Sequence, residues 1–149
     1  MSCLVDTPIL LRLSNTSDAQ HTITRQAVLK LRQQGQALHT SPQNLIEFRN
    51  AATRPLADNG LGFSLAVVEQ KIDVFELLFP LLPETPDIYP AWKTLVQAAG
   101  VIGKQVHDAR LVAICQVYGL NHVLTFNIRH FARFIPFASG LTVINPHTL

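Results

Sequence analysis

The chain has 149 residues, of which 48% are hydrophobic and 15% are charged, and this composition excludes a disordered protein. Twelve Lys and Arg against ten Asp and Glu give a net charge of +2, which is too mild to indicate nucleic-acid binding by itself. The length is that of one domain, and we expect it to extend over residues 1–149 because no repeat, low-complexity tract or linker divides the chain.

The first forty residues predict two short strands and two helices. The apolar stretch "SCLVD" is typical of a buried strand, and "TPILLRLSN" begins a helix in which Pro8 stands where a missing N–H costs nothing. "DAQHTITRQAVLKLRQQG" has apolar residues at roughly helical spacing and ends at a glycine, as helices often do. "QALHTS" follows as a second short strand.

The middle of the chain predicts three helices. In "SPQNLIEFRNAATRP", Ser41 is the N-cap and Pro42 the first helical residue. Ser64 caps the helix of "SLAVVEQKIDVFELLF", and the proline-rich "PLLPETPDIYP" is interpreted as a connector. "AWKTLVQAAG" is the third helix and ends at its glycine.

The last part of the chain predicts a helix, a strand, a helical turn and a closing strand. These are, in order, "HDARLVAICQVYG", "NHVLTFN", "IRHFARF" and "LTVINP". Strands that alternate with helices at this spacing indicate an α/β domain with a central, mostly parallel sheet.

Several polar residues fall where such a sheet binds ligands. Asp6 ends the first strand, Glu47 lies in the helix after the second strand, Asp108 opens a later helix, and Asn127 ends the strand that follows. Ligands bind at the carboxyl ends of parallel strands, so these groups from distant parts of the chain are expected to converge there. Converged carboxylates repel one another, and a hard divalent cation removes that repulsion. A cation held this way activates water and neutralises charge at a phosphodiester, which suggests metal-assisted phosphodiester hydrolysis.

Each acid also has a structural interpretation. Asp6 and Asp108 both stand where a helix N-cap belongs, and Asp is a favoured cap. Glu47 has apolar neighbours, and Glu is rarely buried without a partner. An ion pair of Glu47 with one of the arginines of this part of the fold therefore remains an alternative; the candidates are Arg12, Arg49 and Arg54.

Three stretches together resemble a known family. "LVDTPILLRL", "SPQNLIEFRNAATRP" and "GKQVHDARLVAICQVYGLNHVLTFNIRHF" look like the successive motifs of the PIN-domain ribonucleases, with the closest likeness to bacterial toxins of the VapC kind. The likeness extends over essentially the whole chain. It implies a three-layer α/β/α sandwich with a short, mostly parallel sheet and an acidic pocket that binds Mg²⁺ or Mn²⁺. It also implies RNA as substrate, a cognate antitoxin protein as partner, and a homodimer.

The resemblance assigns roles to individual positions. Asp6, Glu47 and Asp108 match the three family acids, which ligate metal directly or through water and orient the attacking water. Thr7 and Thr125 match small hydroxyl residues that line the pocket.

This chain departs from the family where many members carry a fourth acid. Asn127 and His130 stand at the two positions where that acid is found, so neither supplies a negative charge. Asn127 still offers an amide oxygen to a metal or to a bridging water. His130 is interpreted as a surface histidine, with coordination of Mn²⁺ or contact with a phosphate as the alternative. The missing charge is expected to weaken cation binding.

The remaining signals are weaker. Arginines are candidates for an RNA-facing rim, or alternatively for a solvated face; the three nearest the pocket are Arg12, Arg129 and Arg133. The aromatic residues Tyr89, Trp92, Phe75 and Phe79 are interpreted as core or dimer surface rather than as base-stacking platforms. A leucine-rich stretch is the candidate oligomer contact, and its members are Leu77, Leu78, Leu81 and Leu82.

Two further observations concern the cysteines and the cellular location of the protein. Cys3 and Cys115 have no CxxC spacing and are interpreted as small buried hydrophobic residues. No apolar run reaches membrane-spanning length and the first residues lack the pattern of a signal peptide, so we expect a cytoplasmic protein that does not enter a membrane.

The sequence thus predicts a metal-dependent endoribonuclease, the toxin of a toxin–antitoxin pair. Two alternatives remain open. One is a degenerate PIN-fold module that binds RNA without turnover, because the fourth acid is missing. The other is an interaction protein in which the acids cap helices and bind no metal.

Overall fold

The computed structural model describes all residues 1–149, which form four strands and seven α-helices. The strands are β1 (Ser2–Val5), β2 (Ala37–His39), β3 (His122–Leu124) and β4 (Thr142–Ile144). The helices are α1 (Thr7–Ser14), α2 (His21–Gln33), α3 (Pro42–Thr53), α4 (Leu65–Leu78), α5 (Ile88–Ala99), α6 (Gln105–Tyr118) and α7 (Ile128–Ala132).

The four strands form one parallel sheet in the order β2-β1-β3-β4. In the centre of this sheet, Cys3 of β1 lies opposite Leu38 of β2 on one side and His122 of β3 on the other. Because all strands run in one direction, their carboxyl ends lie along one edge. Asp6 directly follows β1 at this edge, and Thr125 directly follows β3.

Helices cover both faces of the sheet, as the alternating side chains of β1 show. Leu4 packs into a core cluster with apolar residues of α5 and α6, whereas Cys3 and Val5 pack into a second cluster with residues of α1 and α3. Successive residues of a strand point to opposite faces, so the two clusters lie on opposite sides of the sheet. The predicted three-layer α/β/α sandwich with a short parallel sheet is therefore confirmed.

The capping residues predicted at two helix starts are in place. The Ser41 hydroxyl and the Asn44 side chain form a capping box at the start of α3, and Ser64 accepts a hydrogen bond from the backbone N–H of Val67 in α4. Gly100 and Gly119 end α5 and α6 in the left-handed conformation that favours glycine.

Two predicted boundaries are wrong. The connector ends earlier than its prolines suggest, because α5 begins at Ile88 and Pro90 lies in its first turn, where a helix needs no N–H donor. Helix α6 begins at Gln105 with Lys104 as its N-cap residue, so Asp108 lies in the first turn and does not cap the helix.

The interior agrees with the interpretation of several apolar residues. Phe75 and Phe79 are buried, and the Phe75 ring meets that of Phe48 edge to face at 5.1 Å between centroids. Cys3 and Cys115 are buried free thiols, and burial raises the pKa of the Cys3 thiol to about 12. None of the helices combines the length and the apolar character needed to cross a membrane.

Candidate functional site

The three acids predicted for the site come from three different elements. Asp6 stands between β1 and α1, Glu47 lies on α3, and Asp108 lies in the first turn of α6. The negative charges of Asp108 and Glu47 both raise the pKa of Asp6, and Glu47 also raises that of Asp108. The acids are therefore close enough to repel one another, although they are separated by up to a hundred residues of sequence.

Asp6 is the most buried of the three acids, with 2% of its surface exposed. One carboxylate oxygen accepts the backbone N–H of Thr7 at 2.8 Å and so caps α1, and the other accepts the Thr125 hydroxyl at 2.6 Å. Burial raises the pKa of Asp6 to about 7, with the charges of the two neighbouring acids adding to the effect and the two hydrogen bonds opposing it. The predicted capping role of Asp6 is confirmed, and it does not exclude the predicted site role, because the second carboxylate oxygen lies beside Thr125 at the sheet edge.

Glu47 is held by hydrogen bonds from neutral side chains. Its Oε2 accepts the Thr7 hydroxyl at 2.6 Å, and its Oε1 accepts Nε2 of Gln43 at 2.9 Å. The predicted alternative of an arginine partner is wrong, because Arg49 instead forms an exposed ion pair with Glu69. Neutral donors leave the negative charge of Glu47 uncompensated, which keeps the site acidic.

Asp108 is paired with the histidine that replaces the fourth family acid. Its Oδ2 lies 3.2 Å from Nδ1 of His130, and the side chains are 22% and 48% exposed. The pKa of Asp108 is raised mainly by burial, and the imidazole of His130 opposes this shift. His130 is thus exposed, as interpreted, but it is not isolated, because its imidazole lies against Asp108.

The other predicted pocket residues lie around the same acids. Thr7 and Thr125 are both buried and both donate to a carboxylate. Asn127 donates its backbone N–H to the Thr125 hydroxyl at 2.9 Å, while its side chain makes no cap hydrogen bond to α7. The residue is exposed beside the pocket.

The three predicted RNA-facing arginines differ in their surroundings. The Arg12 guanidinium lies 4.6 Å from the centroid of the Phe126 ring, next to the carboxyl end of β3, and hydrogen-bonds Gln20. Arg129 lies exposed on α7. Arg133 is the C-cap residue of α7, and both of its terminal nitrogens are already engaged, by Gln105 and by the backbone oxygen of Ala99.

Sequence reasoning missed two residues that join the acids. Gln43 donates to Glu47 and, at 2.8 Å, to the backbone oxygen of His107, which precedes Asp108. Asn44 donates to the Thr7 hydroxyl at 3.2 Å while completing the capping box of α3. The spacing of Gln43 and Glu47 by four residues places both on one helix face, and this was the signal available for Gln43.

Comparison with known families settles the relationship that the motifs suggest. Residues 3–134 match the family described as PIN domain, which is most of the chain. The chain belongs to the PIN-domain family. No curated protein matches the chain.

Solved structures agree with this PIN-domain assignment at the level of the fold. A VapBC2 structure from Rickettsia felis, bound to promoter DNA, has a TM-score of 0.69 at 16% identity, covering 97% of this chain and 98% of that chain. A toxin–antitoxin complex from Klebsiella pneumoniae has a TM-score of 0.64 at 24% identity, covering 97% of both. The sarcin–ricin-loop-cleaving toxin VapC20 from Mycobacterium tuberculosis has a TM-score of 0.63 at 19% identity, covering 87% of this chain and 93% of that chain.

The chemistry of this PIN-domain site fits a hard divalent cation. Its donors are the oxygens of three carboxylates and two hydroxyls, which suit Mg²⁺ or Mn²⁺. No group of three or more His, Cys, Asp or Glu side chains lies close enough together to hold a metal ion, so the acids do not form a closed ligand cage. Mg²⁺ does not require one, because it is commonly held by one or two carboxylates and completes its shell with water and substrate phosphate.

Proposed function

We propose that this protein is a metal-dependent endoribonuclease that hydrolyses RNA phosphodiester bonds and acts as the toxin of a toxin–antitoxin pair. The observation that carries the proposal is the meeting of Asp6, Glu47 and Asp108 at one edge of the sheet in a chain that belongs to the PIN-domain family. The raised pKa of the buried Asp6 reflects repulsion and burial that a bound cation relieves.

We assign the three acids different roles according to their exposure. Asp108 is the most accessible of the site's aspartates and is the principal ligand for Mg²⁺ or Mn²⁺, with Asp6 behind it as the second. Glu47 has its two oxygens fixed by Thr7 and Gln43, and a carboxylate fixed in this way orients a water molecule. The cation, when bound, acts as a Lewis acid that lowers the pKa of bound water and offsets charge at the phosphate.

Arg12 and Arg129 are the arginines that we assign to the RNA backbone. Arg12 lies over the Phe126 ring at the strand edge that also carries the acids, and Arg129 is one residue before the partner of Asp108. Guanidinium groups bind phosphate oxygens with paired donors, so both are suited to hold the strand beside the cation. Arg133 is omitted from this set because both of its terminal nitrogens donate to the protein, to Gln105 and to the backbone oxygen of Ala99, whereas Nη2 of Arg12 has no protein partner.

Protein partners are the remaining part of the proposal. Several of the solved structures that share the fold are toxin–antitoxin complexes, which supports a cognate antitoxin as the partner of this chain. For a homodimer, the leucine-rich stretch supplies an exposed apolar surface through Leu77, Leu78 and Leu81, with Leu77 84% exposed. Leu82 is buried in the core and does not belong to that surface.

The test is cleavage of a mixed cellular RNA pool by the purified protein with Mg²⁺, with Mn²⁺ and with a chelator. Discrete products that require the metal are expected, since a bound cation would lower the pKa of the attacking water and offset charge at the phosphate. Products of equal amount with the chelator would contradict metal dependence. No products under any condition, with RNA still bound, would favour the degenerate module, for which the missing fourth acid is the specific observation.

Restoring a fourth acid is expected to strengthen metal binding. His130→Asp replaces the imidazole beside Asp108 with a carboxylate, and Asn127→Asp adds one at the exposed end of the same turn. An increase in Mg²⁺ affinity on the order of tenfold corresponds to about 1.4 kcal/mol. Isothermal titration calorimetry in the absence of RNA measures it.

The exposed Gln70→Asp variant on α4, outside the acid cluster, is the control for a general gain in negative charge. Affinities equal to that of the wild type in both site variants would place positions 127 and 130 away from the ion.

A further inference from the structure

We propose that a groove beside the acids binds one nucleobase of single-stranded RNA, with Tyr89 and Trp92 as its stacking wall. This groove, the aromatic groove below, has a volume of about 290 Å³ and is lined by Tyr89, Trp92, Val106, His107 and Arg110. The inference deepens the proposed function and rests on it for the identity of the strand that is bound. It assigns Tyr89 and Trp92 a role beyond the expected one as core or dimer surface.

The Tyr89 and Trp92 rings form a stacked pair, and a hydrogen bond to the backbone holds Trp92 in place. Their centroids are 5.8 Å apart with 30° between the ring planes. Trp92 is half-buried and donates its indole N–H to the backbone oxygen of Val106 at 2.8 Å, so its ring cannot turn freely. Tyr89 is 63% exposed, which is far more than a tyrosine serving only as core would be.

Polar side chains form another part of the wall of the aromatic groove. Arg110 donates to Gln43 at 3.1 Å and to Glu84 at 2.6 Å. Hydrogen bonds from a guanidinium lie in its plane, so these two fix the plane and leave the faces for stacking. His107 adds an exposed imidazole to the same wall.

The aromatic groove is joined to the acids by a single side chain. Gln43 accepts from Arg110 and donates both to the backbone oxygen of His107 and to Glu47. His107 also directly precedes Asp108 in the first turn of α6. A base held in the groove therefore has its own phosphate within one side chain of the two acids, which is the arrangement that fixes a strand for cleavage.

The shape and chemistry of the groove select a base that is not paired. A groove lined by two stacked aromatic rings and a guanidinium suits a planar heterocycle, because every base has a π-face. The volume is at the small end of the roughly 300–1,000 Å³ found for ligand pockets, so it suits one base rather than a base pair. Bases in a duplex are already stacked and cannot enter, so single-stranded RNA is the substrate form expected.

The protein contains one tryptophan, so its fluorescence reports on this groove alone. We suggest titration of the full chain with single-stranded RNA hexanucleotides in the presence of a chelator, which prevents cleavage. Saturable quenching of Trp92 is expected, with affinity about tenfold lower for Tyr89→Ala and near that of the wild type for Tyr89→Phe. Phe137→Ala removes a half-exposed aromatic ring from a different groove and is expected to bind like the wild type.

No change in Trp92 fluorescence at saturating RNA would overturn the inference, and so would equal affinities for the wild type and Tyr89→Ala. Equal binding of the same sequence as a duplex would do so as well. Because binding is measured without metal, the outcome is independent of cleavage. Tyr89-dependent quenching in a protein that cleaves no RNA would support base binding in the aromatic groove and contradict the proposed nuclease activity. Cleavage with identical products from Tyr89→Ala would contradict only base binding in the groove.

Discussion

Asp108→Asn is expected to lower the rate of RNA cleavage by more than about 100-fold and to leave the fold unchanged. Loss of a group that only orients a metal ligand already costs 10–100-fold, and Asp108 is proposed as a ligand itself. The substitution keeps the side-chain shape, and helix α6 does not depend on it because Lys104 is its N-cap residue. The measurement is the initial rate of cleavage with Mg²⁺, together with a circular dichroism spectrum.

Asp73→Asn is the matched control for this substitution. Asp73 is an exposed aspartate on α4, outside the acid cluster, so its variant is expected to cleave at the rate of the wild type. If Asp108→Asn cleaved at that rate as well, Asp108 would have no part in the reaction. If both variants lost activity equally, the effect would come from net charge and not from the site.

Local sequence patterns predicted most of the fold because helix ends and strand faces are set by neighbouring residues. Ser41 and Ser64 begin α3 and α4 as expected, and glycines end α5 and α6, since hydroxyl caps and left-handed turns act within a few residues. The start of α6 was not predicted correctly because Lys104 forms no side-chain cap. No cap pattern marks it, and a distant contact, the hydrogen bond from Trp92 to Val106, helps to place that turn.

The site was predictable where it depends on topology and not where it depends on side-chain contacts. Asp6 follows β1, and the strand-end rule for parallel sheets is enough to place it in the pocket. The bond between Gln43 and the backbone of His107 joins residues 64 positions apart, and no local pattern encodes it. The same holds for His130, whose role depends on how α7 packs near α6.

These contacts explain how the site can hold three acids without a metal. Neutral hydroxyls and an amide bond to Asp6 and Glu47, and His130 lies against Asp108. The chain therefore folds around concentrated negative charge by means of hydrogen bonds, a histidine and a raised pKa at Asp6.

Asp6→Asn is expected to raise the free energy of unfolding at neutral pH when no metal is present. The pKa of Asp6 is about 7 in the folded protein against an ordinary value of 3.8, so between these values the folded state binds more protons than the unfolded state. The stability of the wild type must then fall as pH rises from about 4 to about 7, by as much as about 4 kcal/mol. Asn carries no charge and removes this loss.

The asparagine also preserves the hydrogen bonds of the site. Its amide oxygen can accept the N–H of Thr7, as a favoured N-cap does, and its NH₂ can donate to the Thr125 hydroxyl, which has lone pairs to accept it. The variant and the wild type should therefore converge in stability near pH 4 and separate toward pH 7. Urea denaturation in chelator at several pH values measures this, with Asp73→Asn as the control that should follow the wild type.

Addition of Mg²⁺ distinguishes electrostatic relief from a general gain in packing. A cation that binds the folded state stabilises the wild type by mass action, whereas Asp6→Asn has lost one of its proposed ligands and should respond less. The stability advantage of the variant at neutral pH should therefore shrink as Mg²⁺ increases. An unchanged pH dependence in Asp6→Asn would mean that Asp6 does not carry the proton uptake, and an equal response to Mg²⁺ would mean that Asp6 does not hold the ion.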